Sequence, residues 1–181
     1  MSNAIETAVS MTPDQAMAVA RTGLHALATM RWFTMKLIEN LTPDQWMRQV
    51  SPGANHIMFN VGHIAYCDAG FLAAAGGATD AVPTSYKALF DQGCLPSERA
   101  ADYPEPAELL GVLQRAREDL TSHLAGLSGA RLLDAPADER LADVSPMIAQ
   151  LPGFITLHEG THAGQILLIR RSLGLPGVLG G

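Results

Sequence analysis

Along most of this chain apolar residues recur at three- and four-residue steps, the period of a helix with one buried stripe. Near the C-terminus Leu151, Ile155, His158, His162, Ile166 and Ile169 share one such line. Further upstream Leu109, Val112, Leu113, Ala116, Leu120 and Leu124 form another. No segment alternates with period two over the length of a strand, so the pattern predicts helices alone.

Capping residues divide the pattern into elements. Thr12-Pro13-Asp14-Gln15 combines a Thr cap, Pro at the first helical position, an acid in the first turn and Gln at the capping-box position. It predicts a helix running to about Asn40. The same four letters recur at Thr42-Pro43-Asp44-Gln45, which we read as reused capping chemistry and not as a domain repeat. The short helix they start should end by Ser51-Pro52-Gly53. Asn55 caps the next long helix, which continues to about Ala75 and stops at Gly76-Gly77. Its inner face carries His56, Asn60, His63 and Cys67.

The stretch from Ala78 to Pro104 reads as a long connection with one helical turn around Tyr86 to Gln92. In a compact domain a connection this long is more often functional than idle. Glu105-Pro106 opens a third long helix ending near Gly126, and a Gly/Pro-rich connection follows from Ser128 to Pro146. The last helix starts between Pro146 and Pro152 and runs to Leu173, with Pro152 either opening or kinking it. Gly174 to Gly181 reads as coil, free to pack on a partner. Four long helices predict an all-α four-helix bundle. We expect one domain over 1–181, with an ordered helical core from about 12 to 174.

Composition narrows the partners. A charged fraction of 17% is low, and a hydrophobic fraction of 48% suits a globular core. With a net charge of −6 and only two lysines, Lys36 and Lys87, nucleic acid is not an expected partner. The basic pair Arg170-Arg171 is placed to neutralise the last turn of a helix. Cys67 and Cys94 form no CxxC motif and suggest no disulfide framework. No N-terminal run resembles a secretory signal, and no uninterrupted apolar stretch approaches the ~18 residues of a membrane span. The expected compartment is the cytoplasm, with no membrane partner.

The chemistry concentrates at His158-Glu159-Gly160-Thr161-His162, literally H-E-x-x-H. On a helix this spacing puts two imidazoles on one face, where they can grip a single cation. A zinc peptidase needs a further ligand, yet Ala163 to Gly181 contains no His, Asp, Glu or Cys. The third ligand must come from upstream, and His63, deep in an apolar helical run, is the best choice. His56 is the fallback ligand. Cys67, one turn past His63, reads as a thiolate ligand or, preferably, as a small buried hydrophobe. Glu159 reads equally as a catalytic base near the cation or as an outer-face charge. Gln165 could bind substrate or serve a helix contact. His25 and His123 read as surface or rim residues. Gly62 lets a neighbouring helix approach closely.

Asn60-Val61-Gly62-His63-Ile64-Ala65, with His158-Glu159-Gly160-Thr161-His162-Ala163-Gly164-Gln165-Ile166 and the closing Arg170-Arg171 and Leu173-Gly174, strongly resembles the DinB/YfiT-like superfamily. The likeness extends over nearly the whole chain, including the Leu41 to Trp46 turn and Pro52-Gly53. It implies an up-down four-helix bundle that binds a divalent metal through His63, His158 and His162. It also implies frequent homodimers. Characterised relatives include transferases using low-molecular-weight thiols such as bacillithiol or mycothiol, a mycothiol-dependent maleylpyruvate isomerase, and the iron-binding domain of ergothioneine-forming enzymes. The last role does not suit a chain without their additional catalytic domain.

These readings converge on a small-molecule enzyme that uses Zn, Ni or Fe. Three neutral imidazoles leave the ion's charge intact and a position open, which favours an anionic ligand. The leading expectation is activation of a low-molecular-weight thiol cosubstrate for transfer or isomerisation. The alternatives are a hydrolase using metal-bound hydroxide, with Glu159 as its base, and a non-catalytic, stress-linked binding module.

Overall fold

The computed structural model describes residues 10–178, so the last three residues of the expected coil tail lie outside the described residues. All regular structure within that range is helical. Helix α1 (Pro13–Ile38) begins with the complete capping box: the Thr12 hydroxyl accepts from the Gln15 N–H, and the Gln15 side chain accepts from the Thr12 N–H. In α2 (Pro43–Trp46) Gln45 makes the equivalent bond to the Thr42 N–H. That helix lasts one turn and ends on the buried Trp46.

Helix α3 (Ile57–Ala74) is capped by His56, not by the expected Asn55. The His56 Nδ1 accepts from the Phe59 N–H at 3.0 Å, while the Asn55 amide reaches across to Gln165 at 3.2 Å. The helix ends at Gly76, whose φ of 87° suits a residue without Cβ. The turn expected inside the long connection is α4 (Tyr86–Phe90). Helix α5 (Pro106–Gly126) buries the whole predicted stripe. The connection that follows contains two further short helices, α6 (Gly129–Leu132) and α7 (Glu139–Val144), capped by Ser128 and Asp138. A 3-10 turn at Ile148–Gln150 then leads into α8 (Leu151–Ser172). Pro152 lies in the first turn of α8, where its missing N–H breaks no helical bond, so it opens the helix and does not kink it.

The four long helices close a ring of contacts: α1 against α8, α8 against α3, α3 against α5 and α5 against α1. The apolar core inside the ring is divided in two. One cluster gathers Leu37, Ile57, Val61, Phe90, Leu113 and Ile166; the other gathers Leu27, Leu72, Leu120, Leu124, Leu151 and Ile155. Between them each long helix contributes polar side chains at one level: Arg31 from α1, Asp68 from α3, Arg117 from α5, and His158, Glu159 and His162 from α8. The site is built in this polar belt.

Among the described residues only α3 is long and apolar enough to cross a membrane, with a mean hydropathy of 1.2, and most of it is buried against the other helices. Arg170 departs from its expected role at the end of its own helix. It is buried, and its Nη1 donates to the carbonyls of Leu37 at 2.8 Å and Glu39 at 3.3 Å, satisfying the C-terminal end of α1.

Candidate metal centre

The packing of α3 on α8 brings His63, His158 and His162 together. Ring centroids lie 5.2 Å apart for His63 and His158, and 4.8 Å apart for His162 and each of the other two. The Nε2 atoms of His63 and His158 approach to 3.2 Å. Cys67, one turn beyond His63, places its Sγ 3.4 Å from the same His63 Nε2. Ligand atoms of His63, Cys67 and His158 all lie within 4.8 Å of one another; His162 stands outside that ligand-atom group, although its ring packs against both other imidazoles. Phe59 stacks on His63, and Phe71 meets His158 edge-on, so apolar rings frame the imidazoles.

Hydrogen-bond partners fix where the ring protons sit. The His63 Nδ1 lies 2.6 Å from the Phe90 carbonyl, which can only accept, so Nδ1 carries the proton and Nε2 presents a lone pair. Asn60 fixes His162 in two steps. Its Nδ2 donates to the His56 carbonyl at 3.1 Å, which turns its Oδ1 toward the His162 Nδ1 at 2.9 Å. The His162 Nδ1 is therefore the donor, and its Nε2 too is left as a lone pair. A carbonyl behind one imidazole and an amide oxygen behind the other is the arrangement that orients histidine ligands toward a cation.

Electrostatics reinforce this. Burial, aided by the neighbouring His63, pushes the His158 pKa down to about 4. Burial and the other two histidines push His162 down to about 3. Both rings are thus neutral at pH 7, the form that binds metal. Burial, with help from Asp68 and Asp91, raises the Cys67 thiol to about 12.

Gly62 explains how Phe90 reaches His63. A Cβ on Gly62 would lie 2.2 Å from the Phe90 ring, so glycine alone lets α4 settle over α3. The close approach foreseen at Gly62 therefore serves the site directly. The long connection also supplies Tyr103, which packs edge-on against His56.

Glu159 faces neither solvent nor an open cleft. It is fully buried, with Oε1 2.8 Å from the Arg31 Nε and Oε2 2.9 Å from the Arg117 Nη2. Asp68 joins the same cluster, 3.1 Å from Arg31 and 2.7 Å from Arg117. Burial would raise the Glu159 carboxyl, but the two guanidiniums outweigh it and hold the group below its ordinary range. This four-residue cluster is the main feature that the sequence reading missed. Two signals were present: Arg117 stands on the apolar stripe of α5 between Leu113 and Leu120, and Asp68 interrupts the most apolar helix.

The remaining assignments sort themselves by partner. His56 is excluded as a fallback ligand because both nitrogens are engaged, Nδ1 by Phe59 and Nε2 by the Ser97 carbonyl at 3.0 Å. Gln165 holds Asn55 across the α3–α8 contact. His25 is exposed. His123 binds the Ala75 carbonyl at 3.1 Å and so caps the end of α3.

Comparison with curated proteins gives no match. The model of the DinB superfamily, however, matches residues 26–166, a span that contains His63, Asn60, the ion cluster and the H-E-x-x-H motif. With most of the chain so matched, the protein belongs to the DinB superfamily.

Proposed function

We propose that this protein is a cytoplasmic metal-dependent enzyme in which His63, His158 and His162 hold a divalent cation that activates a low-molecular-weight thiol for transfer or isomerisation. One observation carries the reading. The bonds to Phe90 and Asn60 leave His63 and His162 with their Nε2 lone pairs free beside a third, neutral imidazole. Only the single ring proton of His158 and the Cys67 thiol are at hand to share among these lone pairs, whereas one cation satisfies all of them together. Membership of a metal-binding superfamily supports the assignment. The ring of contacts among α1, α3, α5 and α8 supports the up-down four-helix arrangement that such a site requires.

A divalent cation at these nitrogens would supply Lewis acidity, lowering the pKa of a thiol or of water. The chain's own residues provide the rest. Phe90 and Asn60 hold the ring protons away from the cation side. Phe59 and Phe71 keep the imidazoles in apolar surroundings, where charge is weakly screened. In the transfer itself the thiol S–H bond breaks with its proton passing to solvent, an S–C bond forms at the electrophile, and the leaving group takes the displaced electron pair.

The thiol reading is favoured over hydrolysis with Glu159 as base, because both Glu159 oxygens are engaged by Arg31 and Arg117. The test is a panel of thiols and electrophiles assayed with metal-replete and metal-stripped protein. Metal-dependent thiol consumption in wild type, abolished in His63→Ala, is the expected result. A metal-replete protein that consumes no thiol across the panel would overturn the reading.

A further inference from the structure

We infer that Cys67 is a fourth protein ligand, so that the cation site is a three-histidine, one-thiolate centre. This rests on the metal-site reading above but adds a donor that the three-histidine pattern does not contain. Geometry is the first support. Around a tetrahedral zinc with bonds of about 2.05 Å to nitrogen and about 2.3 Å to sulfur, donors stand roughly 3.3 Å apart for two nitrogens and roughly 3.6 Å for nitrogen and sulfur. The His63–His158 Nε2 separation is 3.2 Å, and that from the His63 Nε2 to the Cys67 Sγ is 3.4 Å. Both edges match a tetrahedron drawn around one ion, and His63, Cys67 and His158 form one group of ligand atoms within 4.8 Å; His162 lies outside that group, its ring 4.8 Å from the other two by centroid.

The second support is a count of lone pairs. The His63 Nδ1 carries the proton given to Phe90, so its Nε2 offers a single lone pair in the ring plane. The His158 Nε2 and the Cys67 Sγ both crowd that one lone pair. As hydrogen-bond donors they would compete for it; as ligands of a common cation, all three atoms are acceptors and none competes. Cys67 is also placed by the helix itself, one turn after His63 on the same face of α3, as His162 follows His158 on α8. Each helix thus presents an i, i+4 pair, His63–Cys67 opposite His158–His162.

On binding, the S–H bond breaks, the sulfur keeps the electron pair as the ligand, and the proton leaves to solvent. A thiolate softens the donor set toward zinc or cobalt and lowers the net charge of the centre from +2 to +1. It also fills the fourth place from within the protein, so a thiol cosubstrate has to compete with Cys67 for the cation.

Cobalt(II) reports both parts. The full-length protein is stripped with chelator and titrated with cobalt(II) chloride, following the visible ligand-field bands and the near-ultraviolet sulfur-to-cobalt charge-transfer band. Wild type is expected to show both; Cys67→Ala and Cys67→Ser should keep the visible bands and lose the charge-transfer band. Added 2-mercaptoethanol should restore that band in Cys67→Ala. Zinc-edge X-ray absorption of the wild type, which needs no variant, should require one sulfur at about 2.3 Å. Cobalt binding with no sulfur band in wild type, and a zinc shell of nitrogen and oxygen alone, would overturn the inference and leave the three-histidine site standing. A wild type that binds no cobalt or zinc would overturn both.

Discussion

Two polar clusters stand side by side in the middle of this bundle, and they are built from adjacent residues. On α3 Cys67 belongs to one and Asp68 to the other; on α8 His158 and Glu159 divide in the same way. Neighbours on a helix point about 100° apart, so a single setting of α3 against α8 aims both clusters at once. Their chemistry differs completely. The ionic cluster is self-complementary, with two guanidiniums meeting two carboxylates at 2.7–3.1 Å. In the histidine cluster the ring protons of His63 and His162 are already spent on Phe90 and Asn60. One is charge-balanced as it stands, with only the Arg117 Nη1 lacking a partner, and the other brings together groups that could hold a cation. Glu159 belongs to the charge-balanced one, with its two carboxylate oxygens held by Arg31 and Arg117.

The contrast is broken most severely by unbalancing the ionic cluster. Asp68→Asn leaves the buried Arg117 and the half-buried Arg31 facing one carboxylate, and should cost about 3–5 kcal/mol of stability in urea unfolding. Glu159→Gln should act in the same direction with metal-free protein as with metal-loaded protein. A loss confined to the loaded form would place Glu159 with the histidines instead.

Metal should act on the other cluster alone. Saturating zinc at a hundred times its Kd should stabilise wild type by about 2.7 kcal/mol and leave His63→Ala unchanged, read as a shift in Tm. Gly62→Ala comes next, because its Cβ would meet the Phe90 ring. Overpacking should cost about 1–3 kcal/mol, and displacement of the Phe90 carbonyl should loosen metal as well. Asn60→Ala sharpens the comparison most finely. It frees the His162 Nδ1 without touching a ligand, and competition with a chromogenic chelator should show metal affinity lowered by about 10–100-fold.

The two clusters were not equally legible in the sequence. The histidines were readable because i, i+4 spacing is local, and His158 and His162 fall on the same line as Ile155 and Ile166. The long helices were equally readable, since capping boxes, Pro106 and Gly76 mark their ends. The ionic cluster joins residues separated by 37 to 128 positions, and no local pattern encodes such a pairing. Its only trace is a charge on an apolar stripe, as at Arg117. The short α6 and α7 were missed for a related reason: four to six residues are too few to show a helical period. His56 displaced Asn55 as the cap of α3 because its ring could also reach Ser97, a contact fixed by tertiary structure.

The central claim is that the histidine cluster holds a cation, and metal content tests it most directly. Elemental analysis of untagged wild type beside His63→Ala and His162→Ala should find near-stoichiometric divalent metal in the first and loss in both variants. A folded wild type that carries no metal and takes up none on reloading would contradict the account.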